Sequence, residues 1–409
     1  MILQLAWKNI WRNKVRSAVI LSAIMLGLIF GIWAVAFTNG MVNQKVEDTI
    51  NIEMTLFQVN TQKFVDENEI EFLFADSALE SQVRRIPEVT GVSPRILLTA
   101  MVASPHKTGG AQVTAIEPEK EKQVSQLYKF IPDSMGNYFA DNLKNSVVIG
   151  KKFAEKYKVQ LHSKIVLSMV NLDGEQVSGA FRICGIFHTN NPVYDEMKMF
   201  IRADDARALT GIAADSIHEM AIQLINYNNS TVAKVQPQIA SFLKEGVVVR
   251  NWKEILPIIS MYTDFMQVEL MIIVAIILFA LGFGIVNTVL MSVLERKREL
   301  RMLMAIGMNR KKVMQLIMLE STILTMLGGF AGMIIGLIAV LVTRKTGVDV
   351  SATFGSYQQL GISTLVRPLL TRLQFIIIAV MVILTGILSA IFPARTAVKM
   401  NPVEGIREY

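Results

Sequence analysis

The chain has 409 residues, of which 52% are hydrophobic and 18% charged, and it carries a formal charge of +7. That composition excludes a disordered chain and points to a membrane protein, and the basic residues crowd the ends of apolar runs rather than forming a nucleic-acid-binding face. Cys184 is the single cysteine, so no intrachain disulfide can form, and the four histidines His106, His162, His188 and His218 are scattered without metal-ligand spacing. Gly150-Lys151 lacks the upstream glycine and following hydroxyl of a P-loop, and no Gly-x-Ser-x-Gly elbow occurs. We therefore expect no catalysis, metal or cofactor in this chain.

In chain order, Leu3, Ala6, Trp7, Ile10, Trp11 and Val15 recur at helical spacing opposite Lys8, Arg12 and Arg16. This predicts an amphipathic helix lying in a membrane interface, either as a topology anchor or as an elbow that moves the first span. Ser17 to Thr38, Leu270 to Leu294, Ser321 to Thr343 and Leu373 to Ala394 are each uncharged and exceed the roughly 20 residues needed to cross a bilayer. Ala34-Val35-Ala36 resembles a signal-peptidase site, but the apolar run is too long for a leader, so an uncleaved span is expected. Lys8, Arg12, Lys14 and Arg16 place the N-terminus in the cytoplasm, and the basic loop between spans two and three returns to that side. Arg344, Lys345, Arg367 and Arg372 dissent from the outer side, but helix parity outweighs them.

The expected organisation is an interfacial helix and first span over 1–38 and an outer domain over 39–262, followed by the second span over 263–294. A cytoplasmic coupling segment over 295–320, a third span over 321–343, an outer loop over 344–372, a fourth span over 373–394 and a tail over 395–409 complete it. Strands are predicted at Thr55 to Asn60, Gly91 to Val102, Gln112 to Ile116, Met199 to Arg202, Met220 to Ile225 and Val247 to Asn251. Helices are predicted at Ser77 to Ile86, Ala203 to Leu209 and Thr231 to Leu243. Val147 to Ile149, Lys164 to Met169 and Val177 to Ile186 read as a separate β-rich insertion over about 121–197, within an α+β part over about 39–120 and 198–252. Leu172-Asp173-Gly174-Glu175 is its hairpin turn. The acidic run Asp66, Glu67, Glu69, Glu71, Asp76 and Glu80 reads as a solvated face.

From Trp252 to about Arg298 only Pro257 interrupts a helix, which would span about 65 Å. Gly328, Gly332 and Gly336, with Gly329, Gly27 and Gly31, suit close helix packing, inside the unit or between copies. Asn287 is expected to bond a neighbouring helix rather than a substrate, and Met25, Met261, Met266 and Met271 to face lipid or line an adaptable apolar cavity. The sharpest signal is Glu295-Arg296-Lys297-Arg298-Glu299-Leu300-Arg301-Met302-Leu303-Met304-Ala305-Ile306-Gly307. It predicts a short helix ending at Gly307 whose side formed by Leu300, Leu303, Met304 and Ile306 needs an apolar partner.

That run resembles the loop of the FtsX- and MacB-like ABC transporter permeases, matching it at Glu295-Arg296, Glu299-Leu300, Leu303, Ala305 and Gly307. Arg301 stands where the family usually has glycine, and Met304 where it has arginine. Phe392-Pro393-Ala394-Arg395 and Asn401-Pro402-Val403-Glu404-Gly405-Ile406-Arg407 resemble the family's ending. Within the insert, Asn39-Gly40, Gly91 to Arg95, Ile116 to Glu119, Val148 to Gly150, Phe181 to Phe187 and Tyr194-Asp195 are most similar to the lipoprotein-releasing Lol permeases.

The resemblance implies an α-helical membrane protein with four transmembrane helices and a large α+β extracytoplasmic domain inserted between the first two. It implies a multi-pass subunit of the bacterial inner membrane, with both termini cytoplasmic and the large domain periplasmic. ATP and Mg would be bound by two copies of a separate ATPase, and a second permease, identical or homologous, would complete the complex. Coupling to the ATPase would run through Glu295, Arg296, Glu299, Leu300, Leu303, Met304, Ile306 and Gly307, with Pro393, Arg395, Pro402 and Arg407 as the tail motif. The implied work is release of lipoproteins to a periplasmic carrier. The alternatives are MacB-like export of a drug, peptide or toxin, and FtsX-like signalling to a cell-wall hydrolase or sensor. Leu172, Asp173, Gly174 and Gln176 stand where Lol permeases dock their carrier, so they form either a carrier contact or an ordinary hairpin.

Overall fold

The computed structural model describes residues 2–12, 14–75, 77–139, 144–226, 228–350 and 365–399. Two compact units emerge: one takes in Met1–Val42, Thr263–Asp349 and the chain from Leu365 onward, and the other takes in Asn43–Tyr262.

The first unit is helical. Helix α1, Ile2–Arg12, buries Ala6 and Ile10 on one side, and leaves Trp7 and Trp11 half-exposed and edge to face at 6.0 Å. Helix α2 runs Lys14–Asp48, ten residues past the expected end at Thr38, and a π-helical turn Thr49–Glu53 follows. The expected start of the next helix at Trp252 is also corrected. Trp252–Ile255 is a separate turn, and Leu256 leaves helical geometry because the following Pro257 disfavours that conformation before it. Helix α3 then spans Pro257–Glu295, 39 residues or about 58 Å. Helices α4, α5 and α6 are Lys297–Ala305, Arg310–Thr346 and Arg372–Val398. Four of these, α2, α3, α5 and α6, are long and apolar enough to cross a membrane.

The glycines of α5 are used inside the unit. A Cβ on Gly332 would lie 3.1 Å from the Met25 Cα, and one on Gly328 would lie 3.2 Å from the Ile24 side chain. Backbone-to-backbone approach of this kind is what small residues permit. Ile24, Leu28, Ile32, Ile317, Leu324 and Val382 fill the resulting core. Asn287 departs from expectation: its side chain is exposed and bonds no described residue, because α3 turns that face, with Phe279 and Phe283, away from the unit.

The second unit is built on one nine-stranded sheet: β1 Phe57–Thr61, β2 Val89–Ala103, β3 Thr108–Ile116, β4 Ser146–Gly150, β5 Lys164–Val170, β6 Gln176–Phe187, β7 Lys198–Arg202, β8 Glu219–Leu224 and β9 Val247–Asn251. Its order is β9-β1-β8-β2-β3-β7-β4-β6-β5, and β5 pairs back onto β2 through Val102↔Leu167. Six strands therefore close on themselves as a small barrel. The expected separate insertion over 121–197 is corrected by this pairing, since its strands β4, β5 and β6 share the barrel with β2, β3 and β7. Period-two alternation turns Ile96, Leu98, Val113, Leu167, Phe181 and Ile201 into one core. The 15-residue β2 is long enough to belong to two structures, pairing β8 with its first half and β5 with its last residues. A second core under β1 and β8 gathers Phe57, Val59, Val83, Ile222, Ile239 and Trp252.

Candidate functional site

The short helix expected to end at Gly307 forms. Helix α4 is amphipathic, and it stops at Gly307, whose φ of +103° is a conformation that side chains disfavour. Its Glu299 and the preceding Arg296 are paired within the chain. Glu299 accepts two bonds from the Arg12 Nη2 of α1, at 2.7 and 2.8 Å, and one from the Arg296 Nε at 3.1 Å. Arg296 reaches on to Glu320 of α5 at 3.3 Å. The Arg12 guanidinium beside it holds the Glu299 carboxyl below its ordinary value. Three helices are thus tied by one chain of charges, around a cavity of about 330 Å³ lined by Arg12, Ser17, Glu295, Arg296, Glu299 and Ser321.

The apolar residues of α4 divide. Leu300 is buried in the unit's own core, and Met304 packs against it. Leu303 is half-buried, and Ile306 is 77% exposed. The surface α4 offers to a partner is therefore Ile306 with Met302, which is 57% exposed, and not Leu300. Met302 was passed over in the sequence because the direction of the helix's inner face depends on α1 and α5. In the sequence Arg12 is legible only as a charge on the polar side of the N-terminal helix, and Glu320 only as a loop charge.

Pro393 of the tail motif lies inside α6, within the expected fourth span over 373–394. It is buried beside Ala394, and the helix continues to Val398, leaving Arg395 exposed in its last turn. Pro402 and Arg407 fall outside the described residues. Between α2 and α3 runs an apolar groove of about 420 Å³ lined by Ala23, Gly27, Phe30, Ile277, Ala280 and Gly284. Its one hydroxyl, on Thr288, is satisfied by the Gly284 carbonyl at 2.8 Å.

The hairpin of Leu172, Asp173, Gly174 and Gln176 is a tight turn between β5 and β6. The Asn171 Oδ1 accepts from the backbone N–H of Asp173 at 3.0 Å and of Glu175 at 2.8 Å, while Gly174 takes a φ of +79°. The Leu172 N–H bonds the Thr210 carbonyl at 3.2 Å, so the tip is braced, and its side chains stay exposed.

The sequence matches the MacB-like periplasmic core domain over residues 17–254 and the FtsX-like permease C-terminal domain over residues 271–402. The chain belongs to the FtsX- and MacB-like ABC transporter permeases. An uncharacterized ABC transporter permease of Methanocaldococcus jannaschii is 22% identical across 99% of this chain and 97% of its own. The lipoprotein-releasing system transmembrane protein LolE of Haemophilus influenzae is 20% identical over 80% of this permease and 79% of its own length. The macrolide export ATP-binding/permease protein MacB of Rhodopirellula baltica is 34% identical over 34% of this permease, a stretch that spans 18% of that longer protein.

Proposed function

We propose that this permease couples ATP hydrolysis by a separate ATPase to the release of lipoproteins from the inner membrane to a soluble periplasmic carrier. The observation that carries the reading is the groove between α2 and α3. It is lined by apolar side chains and one hydroxyl that is already satisfied, which suits an acyl chain better than a polar drug. At about 0.8 kcal/mol per buried methylene, drawing several acyl chains from a bilayer requires an energy source. ATP and Mg would sit on two copies of the ATPase, docked at Met302 and Ile306. Displacement of α4 would pass to α1 and α5 through Arg12, Glu299, Arg296 and Glu320, which border a cavity and so have room to shift. A second permease, identical or homologous, would cover the α3 face that bears Asn287, where an unbonded amide at bilayer depth needs a partner. The exposed hairpin at Leu172 to Gln176 would meet the carrier.

Photo-crosslinkers at Ala23 and Ala280 test the reading in membranes that contain the native ATPase. Capture of a lipidated protein, identified by mass spectrometry and lost on ATP addition, is expected. Export of a drug or peptide is the second reading, favoured by the MacB-like match over 17–254. Capture of only unlipidated peptides or small molecules would decide for export.

A further inference from the structure

The inserted domain holds a second pocket, unrelated to the groove between α2 and α3 and about 430 Å³ in volume. It lies against the outer side of the barrel, lined by Leu97 of β2, Gln112 and Thr114 of β3 and Lys198 of β7, with Asn68 and Glu69 on the opposite wall. The floor is set by register, because Lys198 and Gln112 are direct partners in the parallel β3–β7 pair. The wall is also fixed: the His218 Nε2–H donates to the Ile70 carbonyl at 2.9 Å, and the Leu97 N–H donates to His218 Nδ1 at 3.2 Å. Both sides of the pocket are therefore pinned by one buried ring.

Lys198 is the group this arrangement leaves unexplained. Its ammonium forms no hydrogen bond and no ion pair with any described residue, and burial lowers its pKa from the ordinary lysine value. The charges it feels, Glu219 and Arg95, oppose one another, and those two are bonded to each other at 2.8 Å. A desolvated cation without a partner is costly. The surface it retains opens on the pocket, among the amide and hydroxyl of Gln112 and Thr114.

We propose that this pocket binds a carboxylate through Lys198, with Gln112 and Thr114 as neutral hydrogen-bonding groups. The lining carries one cation and one anion, Lys198 and Glu69. One cation compensates a singly charged carboxylate and leaves the second charge of a phosphate uncompensated beside Glu69. The carboxylate comes from a small organic acid or from an acidic side chain of a docking protein.

Competition footprinting on the full-length permease in detergent distinguishes the sources. The protein is acetylated with an amine-reactive ester, and modification of Lys198 is compared by mass spectrometry with that of the exposed Lys107 and Lys158. The probes are acetate, a terminally blocked Gly-Glu-Gly tripeptide, and chloride at matched ionic strength. We expect Lys198 alone to be slowed about tenfold when a carboxylate probe stands at ten times its Kd. Protection by acetate identifies a free acid, and protection by the tripeptide alone identifies a protein-borne side chain. In the variant Q112A/T114V, which keeps the amine, protection should weaken. No acetylation of Lys198 in the free protein, no protection by either carboxylate, or equal protection by chloride would overturn the proposal.

Discussion

His218 is fully buried, 4.8 Å from the Phe64 ring, and its two hydrogen bonds require the neutral form protonated at Nε2. Burial brings its pKa down to about 4 from an ordinary 6.5. Because the folded value lies below the unfolded one, the unfolded chain takes up the proton first as the solution is acidified. Stability is whole above pH 6.5, falls as pH drops toward 4, and then levels off, a loss of about 3 kcal/mol. Hydrogen exchange of β2 and β8 in the intact protein should speed up across that window, and His218→Gln should flatten the dependence. Arg12 tells a different story. Its pair with Glu299 is roughly half-exposed and so contributes only about 0.2–1 kcal/mol to folding. Arg12→Ala should leave thermal stability nearly unchanged while lowering ATP-coupled transport, and unchanged transport would remove α1 from the coupling path. Neither role was readable from the sequence, where His218 was one of four scattered histidines and Arg12 one of several topology charges.

At the scale of elements, α4 and α5 make the sharpest claims. Ile306→Asp should uncouple the ATPase without loss of fold, since 77% of that side chain is open to solvent. Leu300→Asp should instead destabilise the protein, by stranding a carboxylate in the core. Comparing thermal stability with ATPase association for the two variants separates these effects, and equal stability in both would show the inner face of α4 to be misassigned. Gly332→Leu should part α5 from α2, seen as lost stability of the detergent-purified protein, because the added side chain would meet the Met25 backbone at 3.1 Å. The existence and amphipathic pattern of α4 were legible, as were its end at Gly307 and the glycine spacing of α5. Which apolar residues of α4 point inward was not, because that is decided by Ile317 and Val313, distant in sequence. α2 runs past its expected end because nothing breaks the helix beyond the apolar span, whereas α3 starts later than expected because Pro257 breaks it from Trp252–Ile255.

For the molecule as a whole, four crossings and one inserted domain were legible from hydropathy alone, and every strand of the barrel was visible as an alternating run. Its closure was not, since Val102 finds Leu167 through side chains and backbone far apart in sequence. Topology has a direct check. In a Cys184→Ala background, Asp173→Cys should react with an impermeant maleimide in cells with a leaky outer membrane, and Lys311→Cys should not; the opposite pattern would reverse the orientation. The closed barrel also decides how a partner can hold this domain. Of the nine strands, only β9 is paired on one side alone. Main-chain pairing by an incoming strand, the mode by which sheets recruit peptides and by which they aggregate, therefore finds its one edge free along a whole strand of this sheet at Val247–Asn251. There the helix Asn229–Ala240 already stands close, with the Gln236 amide donating to the Val249 carbonyl at 3.4 Å. A protein that grips the barrel away from the one-sided strand ends Thr108–Ala111 and Gln176–Phe181 must do so with side chains, so its specificity will be written in individual surface residues and will respond to single substitutions.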